Sequence, residues 1–286
     1  MRIRSLGAVS GAFFMLVASA ATAADYGNDS YGDTTATTSS SNGGRQPWSG
    51  NWYLKIGAVG MLAPKYEGAK DYMFKATPTI SIGKAGDPVI FSSRNDSASF
   101  GFIDTGVFRA GIAGRLIWGR DADDSDDLKG LDDVKFGGEL GGFADIYATD
   151  NIRIRGELRR GIRSHNGYVA DIAVDAFKDV TPYMRLSGGP RITIASEDYM
   201  DTFFGVSASE SRRSGLRQYS PKGGVKSVGA GGAITWKVTE KMDASVFAEY
   251  NRLVGEAADS SLVKQRGSAN QISVGVSASY TFDFSM

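Results

Sequence analysis

Between residues 52 and 284, apolar side chains recur at every second position. The last stretch is the clearest. Ile272, Val274, Val276, Ala278, Tyr280, Phe282 and Phe284 alternate with Ser273, Gly275, Ser277, Ser279, Thr281 and Asp283. A strand sends successive side chains to opposite faces, so this segment has one apolar and one polar face. The same period predicts strands over 52–61, 72–83, 106–118, 134–147, 151–163, 168–177, 182–194, 222–236, 241–252 and 271–284. Two short strands, 89–93 and 99–103, bring the expected count to about twelve, with about ten as the alternative.

The connections carry a second pattern. Short turns fall near 84–88, 104–105, 148–150, 178–181 and 237–240, and long ones at 62–71, 119–133, 195–221 and 253–270. If the first strand rises from the periplasm, the short turns lie on the periplasmic side and the long loops outside. Outer-membrane barrels are built this way, whereas a soluble sandwich gives no reason for the alternation. The expectation is an all-β, antiparallel transmembrane β-barrel in the cell outer membrane, spanning residues 51–286.

Charge sharpens this picture. In 151–163, Ile152, Ile154, Leu158 and Ile162 point one way, while Arg153, Arg155, Glu157, Arg159 and Arg163 point the other. An arginine facing lipid near the midplane costs roughly 2–4 kcal/mol, so this face belongs to the lumen. Flanking strands supply Glu139 and Asp145 on one side, Asp171 and Asp175 on the other. Arg109, Arg115, Arg185, Arg191, Lys55, Lys75, Asp243 and Glu249 join the inward set. Two readings compete: an arginine-lined path for anionic solutes, or an ion-pair network that fills the barrel. Carboxylates on both flanks favour the network.

The chain start predicts export. Arg2 and Arg4 precede an apolar run from Leu6 to Val17, and Ala21-Thr22-Ala23 offers a cleavage site. Residues 1–23 are therefore read as a signal peptide and 24–50, rich in Thr, Ser, Gly and Asn, as a disordered leader. Without residues 1–23 the net charge falls from zero to about −2, which gives no basic field for nucleic acid. The chain has no cysteine, so disulfides and thiolate chemistry are excluded. Its 37 glycines and 7 prolines suit curved, closely packed strands.

No motif predicts catalysis, a cofactor or a metal. The one histidine, His165, is placed in an external turn beside Ser164 and Asn166. Adjacency in sequence does not create a nucleophile–base geometry. The loop 121–133 holds seven aspartates but lacks the central Gly and terminal Glu of a calcium loop, so a solvated acidic loop is expected.

Several loop motifs resemble the MipA/OmpV family of outer-membrane proteins. They are Pro64-Lys65-Tyr66-Glu67-Gly68 with Tyr72, Phe203-Phe204-Gly205-Val206, Tyr219-Ser220-Pro221-Lys222, and Tyr250-Asn251-Arg252-Leu253 continuing to Asp259-Ser260. The resemblance runs from Trp52 to Phe284 and departs at Ser261, where the family has proline. It implies a non-enzymatic scaffold or interaction protein of the envelope, working with outer-membrane lipid and lipopolysaccharide. It also implies murein-synthesising and murein-hydrolysing enzymes as partners. A narrow solute channel and a surface adhesin are the alternatives. Tyr66, Tyr72, Phe203, Phe204, Tyr219 and Leu253 are expected to pack over the barrel mouth, and Arg252 to pair with Asp259.

Overall fold

The computed structural model describes residues 51–84 and 91–285. The expected signal peptide, leader and first periplasmic turn lie outside them, as do residues 89–90. Among the described residues eleven strands form one antiparallel sheet: β1 (Asn51–Pro64), β2 (Tyr72–Lys84), β3 (Ala98–Asp104), β4 (Phe108–Ile117), β5 (Gly137–Thr149), β6 (Ile152–Ile162), β7 (Tyr168–Thr181), β8 (Met184–Ala195), β9 (Gly224–Thr239), β10 (Met242–Leu253) and β11 (Asn270–Ser285). Four short α-helices sit in the described long loops, α1 (Glu197–Phe204), α2 (Ala208–Ser214), α3 (Gly255–Asp259) and α4 (Ser261–Arg266), with two 3₁₀ turns at Ala122–Asp124 and Asp126–Leu128. Among the described residues no helix is long and apolar enough to cross a membrane.

The strand order is β2-β1-β11-β10-β9-β8-β7-β6-β5-β4-β3. The first and last strands pair, from Asn51 opposite Ser285 to Leu62 opposite Val274. β2 and β3 are the two edges, and they do not pair with each other. The eleven strands of the described residues fall between the expected twelve and the alternative ten. The strand predicted over 89–93 does not form at residues 91–93. Its continuation, Ser92-Ser93-Arg94-Asn95-Asp96-Ser97, contains no apolar residue to offer to lipid. Backbone and side chains of this kind are stable at membrane depth only inside the protein.

The segment 91–97 accordingly turns inward, and its contacts show how the sheet curls. Arg94 reaches Met61 on β1 and Phe247 on β10. Ser93 meets Arg191 on β8, and Phe91 stacks on Phe177 of β7 at 4.2 Å. Asp96 binds Arg153 on β6, Phe91 O accepts from Tyr147 on β5, and Asn95 O accepts from Arg115 on β4. One short segment can touch strands from β1 round to β4 only if the sheet wraps around it.

Two-residue alternation sorts the faces. In β6, Ile154, Leu158 and Ile162 are exposed while Arg153, Arg155, Glu157 and Arg159 are buried. In β11, Ile272, Val274, Val276, Tyr280 and Phe282 face outward. Arg160 is the outward exception in β6; its guanidinium lies 5.5 Å from the ring of Tyr168 on β7, near the external end. Gly141, opposite Arg159, lets β5 and β6 approach closely: a Cβ there would lie 1.9 Å from Leu158 O.

Candidate functional site

The centre of the lumen is an ion-pair network built on β6. Arg153, 1% exposed, donates to Asp96 at 2.6 and 2.9 Å and to Asp175 at 2.5 Å. Arg155 binds Asp145 at 3.0 Å and Glu157 at 2.7 Å. Arg159 binds Glu139 at 2.8 Å, Asp171 at 2.5 Å and Glu157. Register explains these partners. Asp145 is opposite Arg155 on β5, and Asp175 is opposite Arg153 on β7. Buried charges need this degree of pairing, because taking an ion out of water costs several kcal/mol.

The structure brings most of the sequence-predicted charges into this network and spreads the others around it. Arg191 joins through Asp175 at 2.5 Å, and Arg115 lies 3.6 Å from Asp171. Arg109 lies beside the ring of Phe143. Lys55 pairs with Asp243 at 2.5 Å. Arg185 pairs with Asp179 close to the β7–β8 turn, apart from the centre. Arg163 departs from expectation. β6 ends at Ile162, and Arg163 turns into the left-handed region (φ 74°) as an exposed residue.

Two contributors were not legible from strand periodicity. Asp96 gives Arg153 its two-pronged partner, and Ser97 binds Glu157 through its hydroxyl at 2.6 Å and its N–H at 3.1 Å. Both come from the inward segment. A run of polar residues between two expected strands was the available signal.

Above the network, the long loops pack into a cap. One apolar cluster joins Tyr199, Met200, Phe203 and Phe204 of α1 to Leu253, Ala257 and Val263. A second joins Tyr66, Ala69, Leu128, Leu131, Val206, Leu216 and Leu262. Burial, then the nearby Asp127 carboxylate, pushes the Tyr66 phenol up to about 12, so it stays neutral. Gly68 sits at φ 93°, where a Cβ would press within 2.9 Å of Val263. Gly205 ends α1, with no space for a Cβ beside Asp201 O. Pro64 ends β1 and accepts from Lys75 Nζ. Tyr219 donates to Glu256 at 2.7 Å, and Pro221 is fully buried.

Other family-motif residues take different places. Tyr72 and Tyr250 face outward, with the Tyr72 hydroxyl accepting from Ile272 N and Tyr250 donating to Asn270. The expected Arg252–Asp259 pair is absent. Arg252 bonds Asn270 at 3.1 Å, whereas Asp259, carried off by α3, pairs with Lys264 at 2.8 Å. Ser260 donates to Phe204 O, and Ser261 to Arg217 O at 2.6 Å. A polar bond thus stands where the family carries proline.

Cap and network meet at His165. It is buried rather than displayed in an open turn. Nε2 lies 3.1 Å from Glu139, and the ring contacts Tyr199 edge-on at 4.8 Å. Tyr199 donates to Glu67 at 2.9 Å, and Glu67 also binds Lys226. Among the described residues neither Ser164 nor Asn166 hydrogen-bonds this imidazole; the Ser164 hydroxyl and His165 Nδ1 are both buried without a partner. Below the cap lies a cavity of about 1020 Å³, bordered by both the network and the inward segment.

The fold and this interior define a membrane-spanning β-sheet protein whose lumen is filled by its own charged side chains. The chain belongs to the family described as MltA-interacting protein MipA, which it matches over residues 56–282. It is an outer-membrane β-barrel protein. Comparison with curated proteins gives no match. Among solved structures, an outer membrane channel from Pseudomonas putida F1 is similar at 10% identity and a TM-score of 0.42, over 85% of this chain and 100% of that one. A bacterial polysaccharide outer membrane secretin is similar at 9% identity and a TM-score of 0.41, over 82% and 98%. Nothing about function follows from similarities at this level.

Proposed function

We propose that the protein is a non-enzymatic scaffold of the cell envelope, which gathers murein-synthesising and murein-hydrolysing enzymes at the outer membrane. The observation that supports this reading most is the filled lumen. The inward segment 91–97 and the arginine network occupy the middle of the barrel, and the cap covers one end. A protein selected for rapid passage of solutes has little use for such an interior, whereas an anchored platform loses nothing by it. The family name, MltA-interacting protein, points the same way.

Partners in the periplasm would reach the turns opposite the cap. The test is photo-crosslinking in cells from Asp150 or Glu240, both exposed in those turns. Capture of murein enzymes is expected. If neither position captures a murein enzyme, the scaffold reading fails. The cavity of about 1020 Å³ favours a second reading, a narrow solute path. Stable open channels in planar bilayers would support that reading over the first.

A further inference from the structure

The cavity holds cations that the ion-pair network leaves over. Lys75 Nζ donates to two carbonyl oxygens, Pro64 O at 2.9 Å and Lys65 O at 3.4 Å. Arg94 lies over the Phe247 ring at 3.6 Å and touches the Met61 sulfur at 3.2 Å. Neither forms an ion pair with a carboxylate among the described residues. Met61 is directly opposite Lys75 in the β1–β2 register, so Arg94 and Lys75 approach the same stretch of the cavity wall. Arg155, 3% exposed, also lines the cavity, and its Nη2 has no hydrogen-bond partner among the described residues. Glu249 lies near Arg94 and is engaged by Asn251, and the other carboxylates of the cavity wall, Glu67, Asp96, Glu139, Glu157 and Asp171, are paired with Lys226 or the network arginines.

We propose that this chamber binds a small solute through a carboxylate or phosphate group, with Arg94 and Lys75 as its anchors. The guanidinium is a planar fork that matches both groups in two-pronged fashion, and a lysine ammonium adds a point charge beside it. Stacking on Phe247 holds the Arg94 plane while leaving donors at its edge, the pre-organised state that limits the entropy lost on binding. The buried Nη2 of Arg155 gives the chamber a further donor in need of an acceptor. A volume of about 1020 Å³ suits a solute of metabolite size. The site stands apart from the periplasmic turns, so it does not depend on the scaffold reading.

The experiment is isothermal titration of the purified full chain in detergent with sodium phosphate and, separately, sodium succinate, each against sodium chloride of equal ionic strength. Saturable binding of one anion per chain is expected. Phosphate alone, succinate alone, or both would support the site and identify its chemistry. Arg94→Gln should weaken binding at least about tenfold, while Arg185→Gln, already paired with Asp179 outside the chamber, should leave it unchanged. Because Arg94 also packs on Phe247, Lys75→Gln provides a second reading in a variant whose sheet is checked by circular dichroism. No saturable heat from either anion with the wild-type chain overturns the proposal. So does wild-type affinity in both folded chamber variants.

Discussion

Replacing Asp96 with asparagine tests whether the inward segment is held by charge. Asp96 gives Arg153 two short charge-assisted hydrogen bonds, at 2.6 and 2.9 Å, in a setting where the arginine is 1% exposed. Each such bond contributes about 1.5–3 kcal/mol. Arg153 keeps Asp175 at 2.5 Å, so its charge is not stranded, and the lower end of the range applies. The loss is then about 3 kcal/mol, and it falls on residues 91–97 rather than on the strands. Since about 1.4 kcal/mol is tenfold, transient release of the segment should rise on the order of a hundredfold.

Hydrogen–deuterium exchange read by mass spectrometry on peptides spanning 91–97 measures this directly. Faster exchange there, with unchanged protection in β6 and β7, is the expected result. Planar bilayers give an independent reading, because release of the segment opens the middle of the lumen and should raise conductance. If Asp96→Asn exchanges like the wild type over 91–97, the Asp96–Arg153 contact does not hold the segment, and charge is not what turns it inward.

Three further outcomes follow from other parts of the molecule. Leu158→Arg places a charge on the outward face of β6, where the leucine is 58% exposed, and should destabilise the membrane-inserted form by about 2–4 kcal/mol; the fraction of chain assembled in the outer membrane reports it. Burial works against ionisation of Glu210, but the Asp132 N–H and the Ser207 hydroxyl and N–H prevail and hold its carboxyl below the usual glutamate range. Its contribution to the cap is therefore complete above roughly pH 4.3, the unfolded value, and fades as pH falls through the lower folded value. Protease cleavage at α2 should rise on acidification in the wild type and lose that dependence in Glu210→Gln. Ser261 occupies the first position of α4, where proline is well accepted; Ser261→Pro exchanges the bond to Arg217 O for a stiffer chain and should change the melting temperature little, the two effects being about 1 kcal/mol each.

What could be read from the sequence was whatever repeats with the strand period. Arg153, Arg155, Glu157 and Arg159 fall on one face because they are two residues apart, and their partners Asp145 and Asp175 follow from hairpin register. Contacts without a period were hidden. The Glu67–Lys226 pair joins residues 159 apart, and Tyr199–Glu67 joins residues 132 apart, so only the closure of the cap brings them together. Closeness in sequence also misled. Arg252 lies on the outward face of β10, and α3 turns Asp259 away from it.

The segment 91–97 shows why pattern alone could not finish the architecture. Its residues are too polar to face lipid, yet a sequence that reads as membrane strands invites one more strand to close the sheet. Energy decides otherwise. As a strand, the run would cost Arg153 its two charge-assisted bonds to Asp96 and Glu157 its two bonds to Ser97, each about 1.5–3 kcal/mol. Turned inward, the same residues satisfy both, and Phe91 gains the face of Phe177. The inward turn of 91–97 and the occupied centre of the lumen are therefore one fact. The arginine ladder on β6 demands more carboxylate and hydroxyl than its neighbouring strands supply, and residues 91–97, ahead of β3, are drawn in to provide it.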